Sequence, residues 1–147
     1  MKKILSIVAI LLVTLSMACK KKQDKVLPTD MRAALDKDTV LVTSNVTNTI
    51  SNGVMYIEGV SDDGGRELEL AITGFTGAKK IFTIDYRGPG GNMTGNTGSY
   101  KDGSNMIMAR NGKISVTEVT ADVIKGTFTL FYMQAEIRGT FTAPRKG

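Results

Sequence analysis

The sequence predicts an all-β protein: one antiparallel meander of about eight or nine strands that closes into a barrel or folds into a sandwich, behind an N-terminal signal helix. Three observations carry this expectation. Stretches of apolar–polar alternation recur along the chain. Asn-Gly and Asp-Gly dipeptides, which reach the positive φ values of tight hairpins, punctuate them. No segment beyond the signal carries the 3.6-residue apolar stripe of a packed helix.

Residues 31–35 read as a first strand in preference to a helical turn, and Val40-Leu41-Val42 as a short second one. Residues 54–60 form a strand whose facing is ambiguous. Residues 66–73 alternate cleanly, with Leu68, Leu70 and Ile72 on one face, and residues 80–86 repeat this with Phe82, Ile84 and Tyr86. Met106-Ile107-Met108 is a weak strand. Residues 113–119 place Ile114 and Val116 together, and residues 126–132 and 137–142 add two strands rich in threonine and aromatics, as pleated surfaces favour. Asn52-Gly53, Asp63-Gly64, Asp102-Gly103 and Asn111-Gly112 mark the turns. Connections this short join antiparallel neighbours, because a parallel crossover needs a dozen or more residues. The string Gly-Thr-Phe-Thr occurs at residues 126–129 and 139–142, which predicts two strands with Phe inward and Thr outward.

The N-terminus is a different kind of sequence. Lys2 and Lys3 precede an apolar run of 12 residues at 4–15, the length of a signal-peptide core and too short to span a bilayer. Ser16-Met17-Ala18 then sets small residues before Cys19, the only cysteine in the chain. The stretch looks like a bacterial lipobox, although Ser16 stands where a large aliphatic is usual. Cleavage between Ala18 and Cys19 with acylation of the thiol accounts for an exported chain with one cysteine, which has no internal disulfide partner. Two or more acyl chains hold a protein firmly on a membrane without spanning it. The expected organisation is a signal peptide over 1–18, a basic flexible tether over 19–29 and an all-β domain over 30–147.

The net charge of +5 does not indicate a nucleic-acid partner. Six of the 19 basic residues are Lys2, Lys3, Lys20, Lys21, Lys22 and Lys25, and from Asp30 onward 13 basic residues balance 13 acidic ones. The excess belongs to the signal and the tether.

Sites of chemistry are few. Without histidine or a second cysteine, Ser-His-Asp and Cys-His arrangements have nothing to be built from. Residues 87–105 form the longest stretch without strand pattern and hold six glycines. Gly90 and Gly95 have the spacing of a phosphate loop, but Asn96 stands where its Lys is required and no helix follows. The stretch reads as a mobile loop, and Gly90, Gly91, Asn92 and Gly95 are the candidate ligand contacts if the domain binds anything there. Asp62-Asp63-Gly64-Gly65 lacks the distant bidentate Glu of a calcium loop and reads as a hairpin turn. Glu67 and Glu69 share a strand face as a solvated pair rather than as glycosidase carboxylates. Met31, Met55, Met93, Met106, Met108 and Met133 are read as flexible core filling, since a soft-metal site would gather them with Cys or His. No metal and no cofactor is expected.

Residues 112–119, 124–128 and 137–141, with residues 54–59 and Leu68-Glu69-Leu70 upstream, resemble a family of small bacterial lipoproteins of unknown function, found mostly in Gram-negative bacteria. The resemblance implies an all-β lipoprotein domain and supplies no catalytic or binding residues. The expected function is that of a lipid-anchored envelope protein without enzymatic activity, binding a membrane lipid through acylated Cys19 and an envelope protein or glycan through its β domain. A small β-barrel carrying an apolar ligand is the alternative, which would need an interior cavity in place of a core filled by Leu68, Leu70, Phe82, Ile84, Phe128, Leu130 and Phe141. Lys20 after the acylated cysteine, in place of an aspartate retention signal, points to the outer membrane, facing the periplasm.

Overall fold

The described residues form 11 strands, and along most of them side-chain alternation gives an inward and an outward face. The computed structural model describes residues 27–86, 95–133 and 135–146. Its strands are β1 (Asp30–Leu35), β2 (Asp38–Thr43), β3 (Val46–Ser51), β4 (Val54–Val60), β5 (Arg66–Thr73), β6 (Lys80–Asp85), β7 (Thr97–Asp102), β8 (Asn105–Met108), β9 (Asn111–Val119), β10 (Val123–Phe131) and β11 (Glu136–Pro144). They form a six-stranded sheet in the order β2-β1-β11-β10-β9-β6 and a five-stranded sheet in the order β3-β4-β5-β7-β8, every pair antiparallel. The two open sheets are a sandwich, not a closed barrel. The expected unbroken meander is corrected too. β6 pairs with β9 instead of its sequence neighbours, and β1 pairs with β11, so the first strand of the fold is zipped to the last.

The sheets cross at a steep angle. At one end of β5 the Arg66 guanidinium donates to the Val40 carbonyl of the edge strand β2, 3.1 Å away. At its other end the Thr73 amide donates to Asn96 Oδ1 (2.8 Å), while Asn96 Nδ2 donates to the Thr83 carbonyl of the opposite edge strand, β6 (2.9 Å). Strand β5 therefore runs across the whole six-stranded sheet, from edge to edge. The lengths agree: eight residues extend about 24 Å, and six strands at normal spacing are also about 24 Å wide. Orthogonal sandwiches turn their corners with strands that pass between sheets at bends. The Ala109 amide still bonds to Gly98 of the five-stranded sheet (2.8 Å), and the next amide, Arg110, bonds to Phe131 of the other (2.8 Å).

That corner explains one failed expectation. Asn111-Gly112 is not a hairpin turn but the first step of β9. Gly112 has φ +155°, and a Cβ there would stand 2.2 Å from the Thr129 carbonyl, so the glycine is required by close strand contact. Asn52-Gly53, by contrast, forms the expected tight turn between β3 and β4, with φ of +52° and +76°.

Two strands were not legible. β7 lies inside the supposed loop of residues 87–105, and β3 had no apolar alternation. In β7 the inward position is Gly98, whose missing side-chain space is filled by Leu130 from the facing sheet, 2.6 Å from an ideal Cβ. In β3 the inward residue is Asn48, fully buried, whose Nδ2 donates to the Pro144 carbonyl at 3.0 Å.

The core between the sheets contains all seven side chains expected there, Leu68, Leu70, Phe82, Ile84, Phe128, Leu130 and Phe141, with Met31, Met55, Ile57, Ile114 and Ile137 among the others. The repeated Gly-Thr-Phe-Thr strings acquire a physical meaning here. They sit on paired antiparallel strands in a register that sets Phe128 opposite Gly139 and Phe141 opposite Gly126. Each ring lies over the glycine of the other strand, where a Cβ would come within 2.3 Å and 2.4 Å of it. This is an aromatic ring covering a strand glycine, made twice by one string. Met31 and Met55 fill the core as expected and Met108 is half-buried, whereas Met106 and Met133 are exposed, which corrects their reading as core; Met93 lies outside the described residues.

Candidate functional site

The outward positions of the six-stranded sheet form cross-strand rows. Thr83, Lys113, Thr129 and Arg138 face one another in one row; Asp85, Asn111, Phe131 and Glu136 form the next; Ile81, Ser115, Thr127 and Thr140 lie on the other side. Each row follows from parity, because Phe82, Ile84, Ile114, Phe128, Leu130 and Ile137 point into the core from the alternate positions. Over these rows runs an open groove of about 700 Å³, lined by Ile81, Thr83, Asn111, Lys113, Thr129, Phe131, Glu136 and Arg138. Ile81 (62 % exposed) and Phe131 (40 % exposed) give it apolar surface on a face otherwise threonine-rich.

Charge in the groove is partly answered from within. The Arg138 guanidinium donates to both carboxylate oxygens of Glu136, at 2.5 and 2.7 Å, which holds the Glu136 carboxyl below its usual range. Lys113 has no such partner among the described residues. A concave surface with apolar floor and a few convergent polar groups is the usual form of a ligand site.

The other outer face is different. Glu58 and Glu69 stand directly opposite each other on β4 and β5, and Glu67 on β5 is paired with Lys101, 3.5 Å away. Partial burial, then the charges of Glu58 and Glu67, push the Glu69 carboxyl above its usual range. These carboxylates are half-buried on the outward face of the five-stranded sheet. Among the described residues no three His, Cys, Asp or Glu side chains are placed to hold a metal ion.

Of the residues singled out in the sequence, Ala18, Cys19, Gly90, Gly91 and Asn92 lie outside the described residues. Gly95 is described: its carbonyl accepts from Thr73 Oγ1 at 3.1 Å, so it helps to close the end of the sandwich and is not among the groove-lining residues. Asp63 sits in the β4–β5 turn as expected, its carboxylate accepting from Ser61 Oγ and from the Gly65 amide. Sequence reasoning missed the groove altogether. The available signal was Phe131, an aromatic at the outward parity of a strand whose Phe128 and Leu130 point inward.

The chain matches no family model, no curated protein and no solved structure. The resemblance to small envelope lipoproteins therefore rests on the sequence pattern alone.

Proposed function

We propose that this chain is a non-enzymatic binding module of the bacterial cell envelope, held on the membrane by acylated Cys19 and engaging its partner through the groove on the six-stranded sheet. The observation that carries the reading is where the groove lies relative to the tether. The described chain starts at Leu27 and enters the sheet at Asp30, opposite Thr142. The groove row containing Glu136 lies six residues further along β11, about 20 Å away at strand rise. The chain enters at one end of the sheet and the groove reaches from the Ile81 row, two residues from Thr142, to the far end, which favours a face presented away from the bilayer. Outer-membrane attachment facing the periplasm remains part of the proposal, on the strength of Lys20.

The packed core weighs against the alternative of an apolar-ligand carrier. Leu68, Leu70, Ile72, Ile114, Leu130 and Phe141 meet between the sheets, where a carrier would keep space for its cargo. The absence of histidine from the sequence supports binding over catalysis.

The test has two parts, both in intact cells. Cys19→Ser is expected to leave the membrane fraction and to lose labelled palmitate; retention of both refutes the anchor. A photo-crosslinking side chain at Ile81 is expected to capture a defined envelope component, and one at Glu58 on the other face to capture none. Equal capture from both faces refutes the groove as the binding face.

A further inference from the structure

On the reading that this groove is the binding face, we propose that its ligand is a carboxylate-bearing glycan segment. Three features of the groove point to that chemistry. First, three of its four strands leave no backbone to offer, and on the fourth, the edge strand β6, the Thr83 carbonyl already accepts from Asn96 Nδ2. β9, β10 and β11 are interior strands bonded on both sides, so an extended peptide laid across them finds no main-chain partner for its own N–H and C=O groups. Recognition must come from side chains.

Second, the side chains on offer suit a hydroxyl-rich ligand. Thr83, Asn111, Lys113 and Thr129 line the groove, and their side chains make no hydrogen bond or ion pair among the described residues. Two hydroxyls and an amide both donate and accept, as sugar hydroxyls do. Phe131 beside them exposes a ring of the kind on which the C–H face of a pyranose packs, and Ile81 is exposed on the other side of the Lys113 row.

Third, one positive charge is left over. Glu136 occupies the Arg138 guanidinium in a two-point pair, and Asp85 at the groove's edge already has a partner of its own. Lys113 stands between Thr83 and Thr129 in the same row with nothing to neutralise it. A carboxylate on the ligand completes that row with a charge-assisted hydrogen bond flanked by two hydroxyls.

The experiment is calorimetric titration of the full-length chain in detergent with tetragalacturonate, neutral maltotetraose and a tetraglutamate peptide, at low and high salt. Tetragalacturonate is expected to bind, more weakly as salt rises, and maltotetraose to bind less well. Lys113→Met is expected to weaken tetragalacturonate about tenfold or more, the scale of one hydrogen bond to a charged group. Phe131→Ala is expected to weaken both sugars, and Lys101→Met on the opposite sheet to change nothing. Indifference to Lys113→Met, preference for the peptide, or no binding of any probe overturns the proposal. If crosslinking from Ile81 still captures a specific component in cells, only the ligand class falls; if it does not, the groove reading falls with it.

Discussion

Gly98 and Leu130 meet across the two sheets, and their contact makes a quantitative prediction. An ideal Cβ on Gly98 would lie 2.6 Å from Leu130 Cδ2 and 3.0 Å from Cδ1, with no other neighbour as close. Gly98→Ala therefore overpacks the core against a single fully buried side chain. The expected cost is about 1–3 kcal/mol, typical of an added core methyl. Leu130→Ala alone leaves a cavity and should cost about 3–5 kcal/mol. In the double variant the new methyl has room, which removes the strain and refills part of the hole at roughly 0.8 kcal/mol per methylene. The pair should therefore be about 2 kcal/mol more stable than the sum of the single losses, within the range seen for residues in contact. Urea unfolding of the full chain, followed by far-UV circular dichroism, measures all four corners of the cycle. Additivity within about 0.5 kcal/mol would refute the reasoning, because it would mean that Gly98 is not held open by Leu130.

Two other substitutions test how the sandwich is held together. Glu69→Gln removes one of two opposed carboxylates and should stabilise the protein at neutral pH by a few tenths to about 1 kcal/mol. Because folding raises the Glu69 pKa, the wild-type protein should lose stability as pH rises from the ordinary Glu value of 4.5 through the raised one, and the variant should lack that loss in thermal melts across the range. Asn96→Ala breaks both ends of the link between β5 and β6 and should cost about 1–2 kcal/mol. Hydrogen exchange should quicken at the Thr73 amide while Leu68 and Leu70 stay protected; uniform acceleration would show that Asn96 supports the whole fold and not one corner.

Strand parity was readable wherever both faces obey the ordinary rule. Leu68, Leu70 and Ile72 sit inside because they alternate with Glu67, Glu69 and Thr73, and Phe82, Ile84, Ile114 and Val116 are buried by the same rule, while Tyr86 is only half-buried. The rule fails where an inward position holds something other than an apolar side chain. Gly98 and Asn48 are inside because Leu130 and the Pro144 carbonyl, each far away in the chain, complete them. A local window contains neither partner, so β3 goes unassigned and β7 reads as loop. The same applies to Asn111-Gly112, which has the chemistry of a turn and is spent on a close approach to Thr129.

By itself the sequence determined an all-β chain, the seven aliphatic and aromatic side chains expected at the centre of its core, the turn at Asn52-Gly53 and the expectation of an anchor at Cys19. These depend on residues adjacent in the chain, where period-two alternation and turn chemistry act. Tertiary structure decided the rest: two crossed sheets instead of a barrel, the pairing of the two Gly-Thr-Phe-Thr strings, and the groove. Lys113, Phe131 and Arg138 are ordinary outward residues in one dimension. They become a site because antiparallel register brings β6, β9, β10 and β11 side by side, and only the folded sheet shows which charge among them is left without a partner.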